Sequence, residues 1–273
     1  MSAPSPPFGL DAGFHVGTSG WMYPWTDFYP EKTRDRDKLA YFVTQFDTVE
    51  INTTFYHLPK EPVCEGWRER TPARFRMGLK LHRSMTHFKR MLRCRRELRT
   101  FFSAAGCLER KLGVILIQLP PNFRLDVRRV DGFLGDLFDV ADSLGMRPRV
   151  AIEPRHPSWF ESTAILEVLR RHQVAFVFAQ SSRYPYPHAE PRTAPFVYLR
   201  FHGPRELFAS EYGNELLRPW ARKAAHWLRA GFEVWAYFNN DLGGHAHRDA
   251  RRLRQLVDAE RTAEALHERS VRS

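Results

Sequence analysis

The sequence predicts a single eight-stranded parallel barrel of the (β/α)8 TIM type. Three observations predict it. Eight apolar runs of strand length alternate with amphipathic helical stretches, the pattern of strands paired in parallel through helical crossovers. Several of the runs lack polar alternation, as strands do when both faces are covered. The chain has 273 residues, enough for one barrel of eight such units. The rival is an open doubly wound sheet, which usually carries a GxGxxG loop after its first strand. Here that position reads GTSGW, without the spacing.

The predicted strands are 14–19, 47–52, 75–81, 112–119, 149–153, 174–179, 196–201 and 233–239. The predicted helices are 35–45, 61–70, 88–105, 127–143, 158–172, 214–230 and 245–259. In the stretch 88–105, Phe88, Met91, Leu92, Leu98, Phe101 and Phe102 recur at helical spacing, so the arginines between them face outward. The Pro- and Tyr-rich segment 180–195 reads as a long loop over the sixth strand, suited to a partial lid. No linker or repeat interrupts the pattern. The expected organisation is therefore a disordered leader at 1–13, a barrel domain at 14–260 and a C-terminal tail at 261–273.

Composition is that of a globular protein, 43% hydrophobic and 27% charged. No apolar stretch is long enough for a membrane helix, and the first residues lack the pattern of a secretory signal. Cys64, Cys94 and Cys107 have no metal-type spacing and suit a reducing compartment. The expectation is a cytoplasmic protein with no membrane partner. The net charge of +11 leaves a nucleic-acid partner open. Its basic residues concentrate at Arg83–Arg99 and Arg248–Arg254.

Barrel active sites lie at the C-terminal ends of the strands, and here nearly every strand ends in a polar group. The first ends in Thr18, Ser19 and Gly20, with Trp21 and Tyr23 beyond. The second carries Glu50 and Asn52, then Phe55 and Tyr56. The third gives Lys80 and His82, and the fourth Gln118. The fifth gives Glu153, Arg155 and His156, with Trp159 following. The seventh delivers Arg200 and His202, and the eighth Asn239, Asn240 and Asp241. Each of these groups taken singly also suits an ordinary structural pairing, but so many ionisable groups on one rim need a purpose.

The ordered motifs GTSGW (17–21), TVEINTTFY (48–56), QLPP (118–121), EPRHPSW (153–159), LRFHG (199–203), YFNND (237–241) and GHA (244–246) resemble the YecE-like family, also called domain of unknown function 72. The resemblance runs from about residue 14 to residue 257. It implies a TIM-type barrel and supplies no reaction. The sequence departs from the family pattern at Pro154, where an aromatic is more frequent, at Gln180, where Asp is common, and at Asp249, where Asn is common.

The rim chemistry suggests an enzyme, a hydrolase or lyase acting on an anionic sugar- or nucleotide-containing substrate. Glu50 and Glu153, on the second and fifth strands, are the expected acid/base pair, one protonated and one ionised. His156 and His202 are the expected proton carriers near neutral pH. Lys80, Arg155 and Arg200 form the expected anion clamp. Asn52, Gln118, Asn239 and Asn240 orient the substrate, and Trp21, Tyr23, Tyr56 and Trp159 wall it. A divalent metal stays open but is not favoured: the acids and histidines have no HExxH-like spacing, and the cations would repel it. No metal ligand is assigned, and the cofactor is unknown. Two alternatives remain, a nucleic-acid-binding or metal-dependent phosphodiesterase-like protein and a non-catalytic sensor of a small anion.

Overall fold

A computed structural model describes residues 13–187 and 189–272. All of the expected leader except Gly13 lies outside the described residues. The strands are β1 (Phe14–Thr18), β2 (Thr48–Ile51), β3 (Arg76–Lys80), β4 (Leu112–Gln118), β5 (Arg149–Glu153), β6 (Ala175–Phe176), β7 (Phe178–Gln180), β8 (Phe196–Phe201) and β9 (Glu233–Phe238). The helices are α1 (Asp35–Gln45), α2 (Thr53–Tyr56), α3 (Glu61–Glu69), α4 (Arg95–Gly106), α5 (Val127–Asp142), α6 (Thr163–Arg171), α7 (Gly213–Arg229) and α8 (His245–Arg272). The last helix runs through the boundary expected at residue 260.

Every strand pairing is parallel. The hydrogen-bonded strands form two sheets, in the orders β1-β9-β8-β7 and β2-β3-β4-β5-β6, where the sequence suggested one closed ring of eight. The difference has two local sources. The expected sixth strand is divided at Val177: β6 pairs with β5 and β7 pairs with β8. Val177 N–H itself donates to the Ile152 carbonyl at 2.9 Å. At the other junction β1 passes β2 without a ladder. There the missing side chain of Gly17 matters, because a Cβ would stand 2.2 Å from the Thr48 carbonyl oxygen.

The apolar core falls into two clusters. The larger packs the outer strand faces against the helices, through residues such as Val16, Ile115, Leu134, Leu199 and Leu253. The smaller collects side chains from β4 to β9, among them Val114, Leu116, Ala151, Val177, Tyr198, Trp235 and Tyr237. Alternate residues of a strand point to opposite faces, so one strand serves both clusters: Leu199 faces the helices, while Tyr198 and Arg200 face the inner group.

Two helices begin later than the periodicity implies. The 88–105 stretch is helical only from Arg95. Ser84–Phe88 forms one turn of π-helix, and Arg90, Met91 and Arg93 adopt left-handed backbone conformations (φ 49°, 66° and 51°). Met91, Leu98, Phe101 and Phe102 are buried as expected, whereas Phe88 and Leu92 are exposed. The 158–172 stretch becomes α-helical only at Thr163, after a 3-10 turn at Pro157–Trp159.

Candidate active site

The C-terminal ends of β1, β2, β3, β4, β5, β8 and β9 surround a charged cluster at the base of a cavity. Arg200, on β8, is fully buried. Its Nη2 and Nε donate to Glu50 Oε1 and Oε2 at 2.7 and 3.0 Å, and its Nη1 donates to Glu153 Oε2 at 2.5 Å. One guanidinium thus joins β2 and β5 through the inside of the fold. The remaining acceptor capacity is also taken. Ser19 Oγ and Tyr198 Oη each donate to Glu50 at 2.7 Å, and Arg155 Nε donates to Glu153 Oε1 at 2.9 Å.

These bonds decide the charge state of both acids. Burial pushes the Glu50 carboxyl up, but the Arg200 charge and the bonds from Arg200, Tyr198 and Ser19 outweigh it and hold it below the usual range. For Glu153 the Arg200 and Arg155 charges, with His202, outweigh burial by more and hold it well below. Both acids are ionised at neutral pH. The expected division into one protonated and one ionised carboxyl is therefore corrected: they are two anions shared by a buried cation. His202 is also corrected as a neutral-pH proton carrier. Burial lowers it to about 4, against the opposing Glu153 charge. Its Nδ1 lies 3.1 Å from Asn239 Nδ2, and its Nε2 lies 3.3 Å from both Arg200 Nη1 and Glu153 Oε1.

Above this base lies a cavity of about 820 Å³. Of the residues singled out in the sequence, Tyr23, Asn52, Tyr56, Lys80, Gln118, Arg155 and Asn239 line it. Asp241, named at the end of the last predicted strand, lines it too, and the structure adds His87 and Phe208. Arg155 carries Tyr184 of the 180–195 loop against its guanidinium, 4.2 Å to the ring centroid, so that loop reaches the rim.

Other expected site residues are engaged elsewhere. Trp21 is buried and meets the edge of Trp67 at 5.9 Å. Trp159 is buried, and its Nε1 donates to the Phe123 carbonyl at 3.0 Å. His156 caps the 3-10 turn, accepting from Ser158 N–H at 3.2 Å. Asn240 is buried and ties the loop at Ser210 to Asp249 of α8, through bonds of 3.0 and 2.9 Å. Large aromatics near strand ends are wanted equally by a ligand wall and by the packing beneath the rim loops, and sequence does not separate the two. Asp249 and Gln180, both departures from the family pattern, serve the same region. Asp249 accepts from Tyr212 N–H at 3.0 Å, and the Gln180 side chain accepts from the Tyr212 hydroxyl.

The groups poised near neutrality are not the glutamates. Burial lowers the Lys80 ammonium to about 7, helped by the Arg200 and Arg155 charges. Its Nζ stands 4.0 Å from the centroid of the Phe55 ring, and it makes no ion pair with any described residue. Burial raises Asp241 to about 7, and the nearby Tyr23 hydroxyl and Arg200 charge do not cancel the effect. Asp241 Oδ1 is buried without a hydrogen-bond partner among the described residues, while the Tyr23 hydroxyl donates to the Ser19 carbonyl at 2.9 Å. His87, lowered by burial and by Lys80 and Arg155 to about 4, is neutral.

The chain has two basic clusters. Arg248, Arg252 and Arg254 are neutralised by Asp27, Glu211, Asp249 and Asp47. In the other cluster Lys89 and Arg95 pair with Glu97, Asp136 and Asp139, while Arg83 lies 5.4 Å from the Tyr56 and Phe88 ring centroids. The three cysteines are free, and burial raises Cys64 to about 12 and Cys94 to about 11, which marks them as unreactive thiols. Among the described residues no group of three or more His, Cys, Asp or Glu is placed to hold a metal ion. Among the same residues no helix is long and apolar enough to cross a membrane.

Fold and site together define an α/β protein with parallel sheets and a polar cavity at the C-terminal ends of its strands. The model of the family described as Protein of unknown function DUF72 matches residues 15–271, and the chain belongs to that family. It is 25% identical over 236 residues to the UPF0759 protein YecE of Escherichia coli K12, covering 78% of this chain and 81% of that one. It is 24% identical over 279 residues to the UPF0759 protein YunF of Bacillus subtilis 168, covering 90% and 95%. Its fold is similar to that of a DUF72 family protein from Thermotoga maritima MSB8, with TM-score 0.77, 25% identity and coverage of 90% and 99%. A DUF72 family protein from Enterococcus faecalis V583 is similar in fold, with TM-score 0.76, 18% identity and coverage of 90% and 96%.

Proposed function

We propose that this chain is an enzyme that transforms a small anionic, sugar- or nucleotide-containing substrate by acid/base catalysis in a TIM-type barrel, as a hydrolase or lyase. Three features support joining the two sheets into one barrel. Only Val177 separates β6 from β7. Gly17 brings β1 against β2. Side chains of β2, β5 and β8 meet in the interior at Arg200, and Tyr237 of β9 meets Thr48 of β2 at 2.6 Å.

The observation that carries the chemistry is that Lys80 and Asp241, each brought to about 7 by burial, line one cavity. A proton donor and acceptor work best when their pKa values lie near the operating pH. Asp241 supplies a proton while its carboxyl is intact, and Lys80 takes one while its amine is neutral. Arg155, at the rim, meets the substrate anion. Glu50 and Glu153 fix Arg200 and Arg155 in place rather than exchanging protons. The unpartnered Oδ1 of Asp241 and the buried, equally unpartnered Oδ1 of Asn52 are acceptors that a hydroxyl-bearing substrate satisfies.

The pH dependence follows from the signs. Rising pH through about 7 strips Asp241 of its proton, and falling pH through about 7 charges Lys80. Activity therefore peaks near pH 7 and falls on both sides. The test incubates the protein at that pH with phosphorylated and carboxylated sugars and nucleotides and follows products by mass spectrometry. Turnover of at least one compound is expected, reduced on the order of 10²-fold or more in Asp241→Asn and in Lys80→Met. Turnover unchanged in both variants contradicts the reading, as does ligand stabilisation without any turnover, which is the behaviour of a sensor.

A further inference from the structure

Lys80 differs from the other lysines of this chain in where it stands and what it touches. The chain has seven lysines: Lys32, Lys38, Lys60, Lys80, Lys89, Lys111 and Lys223. Lys32, Lys60 and Lys89 are exposed. Lys38, Lys89 and Lys223 pair with Asp35, Glu97 and Glu190, and Lys111 donates to the carbonyls of Arg68 and Thr71. Lys80 is buried, ends β3, opens on the cavity and rests on the face of Phe55. The nearest acids, Glu50 and Glu153, are already occupied by Arg200 and Arg155. The backbone of Lys80 is held as well, because its carbonyl accepts from Thr54 Oγ1 at 2.7 Å.

Such an amine has more than one use. A lysine kept out of water beside other cations is how enzymes activate this side chain as a nucleophile. The neighbouring guanidinium of Arg155 remains available for an anionic group on the same molecule. We propose that Lys80 attacks an aldehyde or ketone carbon of an anion-bearing substrate and forms an imine with it. This rests on the reading of the cavity as an acid/base site, and it names a covalent step and a substrate class within it. The nitrogen lone pair of neutral Lys80 bonds to the carbonyl carbon, giving a carbinolamine. The C–O bond then breaks, and the carbonyl oxygen leaves as water with the two hydrogens that the amine gives up. Asp241 lines the same cavity as Lys80 and, with its carboxyl raised to about 7 by burial, is suited to relay those protons. No oxidant or reductant enters this step. The resulting imine is the electron sink that bond cleavage next to a carbonyl carbon needs, which fits the lyase half of the proposed function.

The test uses the intact protein at pH 7 with glyoxylate, a small anionic aldehyde, and sodium cyanoborohydride, followed by peptide mapping. A parallel sample is treated with acetic anhydride, which acylates any neutral, accessible amine. The expected result is a carboxymethyl adduct concentrated at Lys80, formed at least roughly 10-fold faster than at the exposed Lys32, Lys60 or Lys89. Lys80→Arg, with its folding checked by circular dichroism, loses that adduct. Acetylation of Lys80 without glyoxylate trapping overturns the imine and leaves the acid/base reading standing. Neither reagent modifying Lys80 ahead of the exposed lysines overturns both.

Discussion

Arg200 is the residue on which the base of the cavity depends. It is fully buried and serves two buried carboxylates from two strands. Removing one partner of such a cluster leaves uncompensated charge inside the protein, which typically costs about 3–5 kcal/mol. Arg200→Met is expected to lose about that much in urea denaturation and to disorder Arg155 and His202 as well. A loss below about 1 kcal/mol would mean that water reaches the cluster and screens it. The positions of Glu50, Glu153, Lys80, Arg155 and Arg200 at strand ends were legible in the sequence, because apolar runs that end in charge are visible without coordinates. Their protonation was not. Whether a buried glutamate is an acid or a fixed anion depends on its partners, and those of Glu50 are Ser19, just past β1, and Tyr198 and Arg200 on β8. The same limit hid the role of Asp241. Its environment is set by Tyr23 and by burial under the rim loops, and nothing in YFNND distinguishes it from Asn240, which is locked to Ser210 and Asp249.

Seven of the eight predicted strands were legible to within a residue at each end, because an apolar run covered on both faces leaves a plain signal; the division of the sixth at Val177 left none. Helices followed where amphipathicity was clean: α1 occupies the predicted 35–45, α5 ends one residue early, and α7 is shifted by one residue at both ends. The failure at 88–94 has a specific cause. Three residues there take left-handed backbone conformations that hydrophobic spacing does not reveal, and the π-helical turn before them places His87 at the cavity. The junction between β1 and β2 rests on an absent side chain. Gly17→Ala puts a Cβ 2.2 Å from the Thr48 carbonyl oxygen, on rigid backbone rather than at the end of a flexible side chain. Thermal and urea melts should show destabilisation of about 1–3 kcal/mol, the usual range for overpacking. An unchanged stability would mean that β1 and β2 are free to separate, and it would remove one support for the closed barrel.

Across the whole molecule, the parallel strands deliver their polar ends to one side, and the helices cover the outside. That arrangement lets one inward cation hold β2, β5 and β8 at the depth where the cavity begins. It also separates fixed charge from titrating charge. Arg200, Glu50 and Glu153 keep their ionised forms at neutral pH, while Lys80 and Asp241 above them change form near pH 7. The net charge of +11 says less than its distribution, because the cluster at Arg248–Arg254 is largely paired with acids whereas Arg155 stands at the cavity. The most direct measurement of this separation is a carbon-13 NMR titration of the intact protein labelled at the lysine ε-carbon. One resonance of the seven lysines should titrate with a midpoint near pH 7 and vanish in Lys80→Arg. A Lys80 resonance that stays fully charged up to the ordinary lysine range would contradict the account.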